Sequence, residues 1–264
     1  MSFIEIEKRE YKHNFNMSAF QSHDFYELYF LLSGSREVFI ENKLFILQKN
    51  SICIIPPYHI HKTEGSAYSR INLYISKEYL TKDELSFLEK LSQNFAFFLE
   101  QKQIDFINSL LTEGALINIS DYKHRTNVLI SFAKTAIAYL STQSLKPLSD
   151  TASTPKKSFT NTTILKIASY INENYQKKIS LESLSNQFFI SKNTLCKWFR
   201  QSMNSSITQY IIYVRLNKAK LYLSTTNKSL EKISELCGFP SANYFSLIFK
   251  KHLGMSPQNY RKKR

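Results

Sequence analysis

The chain changes its hydrophobic rhythm along its length. Within residues 3–76, short runs rich in aromatic and β-branched residues read as strands: 26–34 (YELYFLLSG), 35–41 (SREVFIE), 43–49 (KLFILQK), 51–57 (SICIIPP) and 69–76 (SRINLYIS). Turn-formers divide them at Gly34-Ser35, Glu41-Asn42 and Lys49-Asn50. Strands this short and this closely spaced predict a small antiparallel barrel or sandwich. From Thr81 to Leu140 the spacing turns helical, as at Val128, Leu129, Phe132, Ala136 and Leu140. Such helices either cover one face of the strands or form a dimer surface, and the pattern leaves both open. Between Ser141 and Thr160 the apolar rhythm is lost and Ser, Thr and Pro dominate, which is linker composition. The pattern thus divides the chain into 1–140, a linker 141–160, and 161–264.

The last third repeats itself. Ser180-Leu181-Glu182 returns as Ser229-Leu230-Glu231, and Leu184-Ser185 as Ile233-Ser234. After one inserted residue, Ser191, Asn193 and Leu195 match Ser241, Asn243 and Phe245. Phe199-Arg200 then matches Phe249-Lys250, Asn204 matches Gly254, Ser206 matches Ser256 and Tyr210 matches Tyr260. So many matches with a single gap describe one structural unit used twice. Each copy reads as helix, turn, helix. Ser180 and Ser191 cap the two helices of the first copy, and Asn204 ends it in a left-handed conformation. Gly238, Ser241 and Gly254 mark the turn, cap and end in the second.

Wound at about 100° per residue, the second helix of the first copy turns Leu195, Trp198, Phe199 and Ser202 inward. Asn193, Lys197 and Arg200 lie opposite, with Cys196 at the edge. In the second copy Phe245, Ile248, Phe249 and His252 face inward, and Asn243, Leu247 and Lys250 outward, with Ser246 at the edge. A capped, basic helix with Asn and Lys near its start suits a major groove, where Asn can pair with adenine and Lys with guanine acceptors. The segment 207–223, apolar at Ile212, Leu216, Ala219 and Leu223, reads as a rod joining the two units. Its stripe is too narrow for a membrane-surface helix.

Charge sharpens this reading. Residues 156–264 hold 19 Lys and Arg against 4 Asp and Glu, while residues 1–155 hold 16 against 17. All of the net +14 therefore sits at one end, which favours a polyanionic partner. No apolar run reaches the ~18 residues of a spanning helix, and the first residues lack the apolar core of a signal peptide. Three distant cysteines, Cys53, Cys196 and Cys237, suit a reducing compartment. A cytoplasmic protein with no membrane partner is expected.

With these motifs in place, residues 162–264 resemble the AraC/XylS family of bacterial transcription regulators. Arg215-Leu216-Asn217-Lys218-Ala219 matches its RLxxA pattern, Ile233 to Phe239 matches IAxxxGF, and Tyr244 to Arg261 matches YFxxxFKKxxGxSPxxYR. Ser185 and Ser234 stand where the family usually packs alanine. The resemblance implies base contacts at Asn193, Cys196 and Lys197 in the first unit, and at Ala242, Asn243, Ser246 and Leu247 in the second. Lys192, Arg200 and Lys250 are the expected phosphate contacts. Leu247 stands where many members carry Arg.

The amino-terminal half is similar to the cupin-like sensing domain of the same family, through 23–28 (HDFYEL), the Gly34 turn and 56–61 (PPYHIH). His23 and Glu27 share strand parity, so with His61 they are expected to line an effector pocket. Such a set can also hold a divalent metal. Gln21 stands where metal-holding cupins carry a further histidine, and no metal or other cofactor is assigned. The expected fold is thus α+β with two domains. A cupin-like β-barrel with following helices precedes an all-α domain of two helix-turn-helix units joined by a long helix. The expected function is transcription regulation rather than catalysis. The implied partners are double-stranded promoter DNA, RNA polymerase, a small-molecule effector and a second copy of the chain.

Overall fold

The computed structural model describes residues 2–17, 20–41, 43–119, 123–149 and 162–262. Residues 150–160 of the expected linker lie outside them. The first half supplies β1 (Ile4–Tyr11), β2 (Tyr26–Ser33), β3 (Ser35–Ile40), β4 (Lys43–Gln48), β5 (Ser51–Ile55), β6 (His61–Gly65) and β7 (Tyr68–Ile75). After them come α1 (Lys82–Leu91), β8 (Ala96–Phe98), α2 (Gln101–Asn118), α3 (Arg125–Ser141) and β9 (Lys146–Pro147). The strands form a six-stranded sheet in the order β1-β7-β2-β5-β8-β9 and a three-stranded sheet β4-β3-β6, with every pairing antiparallel. The expected barrel is therefore two facing sheets rather than one closed ring. Gly34, at φ +82°, carries the chain from the larger sheet into the smaller, with no room for a Cβ against the Ala67 carbonyl.

Strand alternation builds three layers. Leu28, Phe30, Ile52, Ile54, Ile71 and Leu73 point to one face of the large sheet, where Ile104, Ile107, Leu111, Leu129, Ala136 and Leu140 of α2 and α3 cover them. Tyr29, Leu31, Cys53 and Ile55 point the other way and meet Val38, Ile40, Phe45 and Leu47 of the small sheet. Helices α2 and α3 thus serve as a cover. The stretch 81–140 is not wholly helical, because Ala96–Phe98 pairs with Ser51–Cys53 of β5. Strand β6, polar in sequence, exists through its partner: Val38 opposes Thr63 and Ile40 opposes His61. Within the expected linker, Lys146 and Pro147 pair with β8, and Leu148 N donates to Ala96 O at 2.9 Å.

The second half is helical: α4 (Thr162–Asn174), α5 (Leu181–Phe188), α6 (Lys192–Met203), α7 (Ile207–Thr225), α8 (Leu230–Leu236), α9 (Ala242–Leu253) and α10 (Pro257–Lys262). Serine starts nearly every one. Ser180, Ser191, Ser206, Ser229, Ser241 and Ser256 each accept a backbone N–H three residues on, at 3.0–3.2 Å. Each such cap contributes about 1 kcal/mol. Asn204 and Gly254 end α6 and α9 in the left-handed region, as the sequence predicts. The repeat extends one element further than its helix pairs, since α10 copies the first turns of α7. Tyr210 packs edge-on against Phe199, and Tyr260 against Phe249, each with ring centroids 5.5 Å apart.

Helix α7 carries more than the one stripe expected of it. Its first half (Ile207, Tyr210, Ile211, Val214) completes the core of Leu184, Leu195 and Phe199, which α4 closes. Its second half (Leu216, Ala219, Leu223) joins Ile233, Phe245 and Phe249. Ile212 is only half-buried. The two units are also clasped at the end of α4. Arg215 donates to Tyr175 O at 2.8 Å and Lys177 O at 2.9 Å. Gly238, at φ +75°, lies so close to Tyr175 and Gln176 that a Cβ would fall 2.6 Å from both carbonyl oxygens.

The two serines that replace the usual alanines differ in their surroundings. Ser185 Oγ donates to Ile190 O at 2.6 Å, whereas the Ser234 hydroxyl is buried with no hydrogen-bond partner. Ser185→Ala is expected to cost about 1 kcal/mol, and Ser234→Ala to leave stability unchanged or raise it by up to ~1 kcal/mol. Urea unfolding of the two variants side by side checks this. Equal losses would mean that the Ser234 hydroxyl has a partner in solution.

Candidate functional site

The outer faces of α6 and α9 come out nearly as the helical wheel requires. Leu195, Phe199, Phe245 and Phe249 are buried. Lys192, Asn193, Cys196, Lys197 and Arg200 are exposed on α6, as are Asn243, Leu247 and Lys250 on α9. Ala242 and Ser246 are half-buried at the edge of that face. His252, expected inside, is exposed instead, while the next residue, Leu253, packs on the core that Phe245 and Phe249 fill. Leu247 is 66% exposed, a large apolar side chain with no packing role. Among the described residues Lys192 has one ion pair, to Glu182 at 3.1 Å, with both side chains largely in water. That pair adds little stability and leaves the charge available to an anion.

The second candidate lies between the sheets. A cavity of about 460 Å³ is lined by odd-numbered residues of β1, β2, β6 and the segment 17–25, and by Tyr68, Arg70, Asn72 and Tyr74 of β7. The parity follows from strand geometry, which sends alternate side chains to opposite faces. His23, Glu27 and His61 meet in this cavity, as the sequence led us to expect. Glu27 Oε2 lies 3.1 Å from His23 Nε2 and 3.6 Å from His61 Nε2. Its other oxygen accepts from Asn72 Nδ2 at 2.6 Å. Burial opposes the Glu27 charge, but the His23 contact, with the charges of His61, His23 and Arg70, holds the carboxyl below its usual range. Burial pushes His61 down to about 4, against the pull of Glu27.

Sequence reasoning missed the rest of the cavity wall. Arg70, Asn72 and Tyr29 belong to it, but a strand pattern does not say which face of a two-sided buried sheet is hollow. Tyr29 Oη, Arg70 Nη1 and Asn72 Oδ1 are buried without a hydrogen-bond partner. Orphaned groups on one wall are groups that a polar ligand or water can satisfy.

Two family models match the chain: a helix-turn-helix domain over residues 184–263 and an AraC-like ligand binding domain over residues 4–83. The chain belongs to the AraC-type transcription regulators. It is 26% identical over 254 residues to the probable transcriptional regulator LumQ of Photobacterium leiognathi, covering 92% of this chain and 91% of LumQ. It is 31% identical over 94 residues to YpdC of Escherichia coli, an uncharacterized HTH-type transcriptional regulator, covering 36% of this chain. The chain thus spans only 33% of the length of YpdC. Among solved structures, the C-terminal domain of AraT, a response regulator from Geobacillus stearothermophilus, is 28% identical with a TM-score of 0.40. The match covers 40% of this chain and 89% of that one.

In this AraC-type chain the cavity and the helical half share a wall. Residues 20–23 run antiparallel to 58–61, held by Gln21 N to His61 O and His61 N to Gln21 O, both 3.0 Å, and by Tyr58 N to His23 O at 2.7 Å. His23 and His61 face the cavity, while Phe20, Ser22, Tyr58 and Ile60 face the helices. Phe20 packs edge-on against Tyr210 at 5.5 Å, and Ile60 joins Phe39 and Leu44 in the first unit's core. Tyr58, at φ +66°, donates to Ser224 Oγ at 2.9 Å. Asn172 Nδ2 donates to Glu41 O at 2.6 Å, and Lys218 lies 3.7 Å from Glu41.

Lys220 is the costly member of this contact. It is buried, reaches Ser22 Oγ at 3.4 Å, and burial lowers its pKa to about 8 despite the Asp24 charge. The folded chain therefore holds fewer protons than the unfolded one between pH 8 and 10.5, so stability rises with pH across that window. Below pH 8 the full cost of the buried charge remains. Lys220→Met, which keeps the stem and removes the charge, should raise the Tm at pH 7, by about 2–4 °C for each kcal/mol relieved. It should also flatten the rise above pH 8. An unchanged slope in the variant, by thermal unfolding at pH 7, 8 and 9.5, would show that the ammonium is solvated.

Proposed function

We propose that this chain binds promoter DNA sequence-specifically through α6 and α9, and that a small-molecule effector in the cavity controls that binding. The observation carrying this reading is the duplicated face. Two serine-capped helices, each with an exposed Asn at the same position, follow one another in a domain that holds almost all of the positive excess. The proposed base contacts are Asn193, Cys196 and Lys197 with Ala242, Asn243, Ser246 and Leu247; Lys192, Arg200 and Lys250 take phosphates. Helix α7, 19 residues long, extends about 28 Å at 1.5 Å per residue, close to the ~34 Å of one DNA turn. A rod of that length suits two heads in successive major-groove faces.

The shared wall gives the effector a route to the helices, because a ligand that moves His23 or His61 moves Phe20, Ser22, Tyr58 and Ile60 with them. It acts only by binding the docked and undocked arrangements unequally. A cytoplasmic homodimer that meets RNA polymerase at the promoter, and carries out no catalysis of its own, belongs to the same proposal. The outer face of α2 and α3 suits the dimer: Phe106 packs on Tyr139 at 4.2 Å, and Leu116 and Ile119 are exposed. Among the described residues no helix is long and apolar enough to cross a membrane.

The two heads should read unequally. Lys197 can donate to guanine acceptors, whereas Leu247 at the equivalent position can only touch a thymine methyl. A good polar contact discriminates by ~1–3 kcal/mol per base, a methyl contact by the low end of that range. The operator should therefore have one sharply specified half, read by α6, and a degenerate half about one turn away. Selection from random DNA with the wild type, Lys197→Ala and Leu247→Ala tests this. Equal information in both halves, or a larger loss from Leu247→Ala, would defeat the assignment, and salt-insensitive binding would defeat the DNA reading itself.

A further inference from the structure

We infer that the cavity takes a free amino acid with an aromatic or large apolar side chain, its ammonium toward Glu27 and Asn72 and its carboxylate toward Arg70 and Tyr29. The inference rests on reading the cavity as the sensing site and names the class of effector it receives. Strand register lays charge out along the cavity floor. Tyr74 of β7 stands between Glu5 of β1 and Glu27 of β2, Asn72 between Glu7 and Tyr29, and Arg70 beside Arg9. These side chains share one face, so the rows follow one another at about 7 Å, the rise of two strand residues. No Lys or Arg lines the row of Glu5 and Glu27 among the described residues. At the other end Arg9 and Arg70 both pair with Glu7. Arg36, wholly buried, adds a third guanidinium 4.1 Å from the Tyr68 ring centroid. It donates to Phe15 O at 2.6 Å and Thr63 Oγ1 at 2.9 Å, and no carboxylate pairs with it among the described residues. One end of the floor is thus acidic, and at the other three guanidiniums share one carboxylate.

The unpartnered atoms follow the same polarity. Asn72 Nδ2 donates to Glu27 Oε1 and Tyr74 Oη, both at 2.6 Å, which leaves Oδ1 a buried acceptor with no donor. Arg70 Nη2 holds Glu7 at 2.9 Å, and Nη1 is a buried donor with no acceptor. Tyr29 Oη, opposite Asn72 on the next strand, also lacks a partner. An ammonium only donates and a carboxylate only accepts, so each has one end of this floor to itself. A simple acid leaves Asn72 Oδ1 unanswered, a simple amine leaves Arg70 Nη1 unanswered, and a neutral sugar leaves the separated charges unmatched. In an α-amino acid the two groups are joined through one carbon. With a hydrogen bond of about 2.9 Å at each end they span roughly 8 Å, close to one step between rows. Rings flank both ends. Phe25 packs on Phe3 at 4.7 Å and on Tyr74 at 5.6 Å, and Tyr68 stacks on Tyr11 at 4.7 Å. The side chain of the ligand therefore meets ring faces and edges, which suits an aromatic or large apolar group.

The test uses the full chain. Calorimetric titration compares L-phenylalanine with 3-phenylpropionate, which lacks the ammonium, with 2-phenylethylamine, which lacks the carboxylate, and with glucose. One L-phenylalanine per chain is expected, with each of the other three at least tenfold weaker. Thermal shifts with the twenty standard L-amino acids then rank the side chain, and aromatic members should lead. Glu27→Gln should shrink the preference for L-phenylalanine over 3-phenylpropionate to less than threefold. Arg70→Gln should do the same for the preference over 2-phenylethylamine, with circular dichroism checking that both variants fold. No shift from any amino acid, 3-phenylpropionate or glucose bound as tightly as L-phenylalanine, or a folded variant that weakens all ligands equally would overturn the inference. DNA affinity with and without L-phenylalanine separates it from the sensing role. Binding that leaves DNA affinity unchanged keeps the amino-acid site and removes the sensing role. A DNA response to glucose without any amino-acid binding removes the inference and keeps the sensing role.

Discussion

Everything in this structure depends on a small sheet that is buried on both faces. The three strands β4-β3-β6 send Val38, Ile40, Phe45 and Leu47 inward to the large sheet, and Phe39 and Leu44 outward into the core of the first helical unit. Burial on both sides ties β3 and β4 to two cores at once, so a shift of either strand disturbs both the packing against the large sheet and that against the helices. The paired segments 20–23 and 58–61 extend that wall, with imidazoles on one side and α7 contacts on the other. Period-two geometry, the simplest property of a strand, thereby joins two sites that lie far apart in the chain.

The character of the contact fits something made to be adjusted. Its apolar part is compact, centred on Phe20, Phe39, Leu44 and Ile60. Around it sit groups that weaken it: a buried ammonium at Lys220 and a left-handed Tyr58 backbone. Non-glycine residues at positive φ cost of order 1–3 kcal/mol and persist where surrounding structure demands them. The Tyr58 backbone is held by His23 O, so the strained residue is bonded directly to a cavity residue.

The helical half follows a different rule, that of two copies around one shared rod. Each unit closes its core with a half of α7, and Arg215 and Gly238 clasp both to the end of α4. Rigidity of this kind sets the spacing of the two outer faces, while the residues on those faces stay free to differ. Leu247 differs most, and its exposure without a packing role marks it as a surface meant for something other than stability.

Much of this was legible in the sequence, for reasons of local chemistry. The caps at Ser180, Ser191 and Ser241, the Asn204 and Gly254 ends, and the buried Leu195, Phe199, Phe245 and Phe249 of α6 and α9 follow local spacing, so the sequence revealed them. The parity of His23 and Glu27 put both on one face, and Gly34 marked its turn in the same way. What depended on distant partners was hidden. β6 is a strand only because β3 is beside it, and β8 breaks a helical stretch only because β5 has an open edge. His252 looked buried on a wheel but is exposed, and Leu253 beside it takes the place on the core. The second buried face of α7, the cavity wall at Tyr29, Arg70 and Asn72, and the burial of Lys220 arise where two elements meet. A sequence records which side chains share a face; only the packed chain decides what that face is turned against.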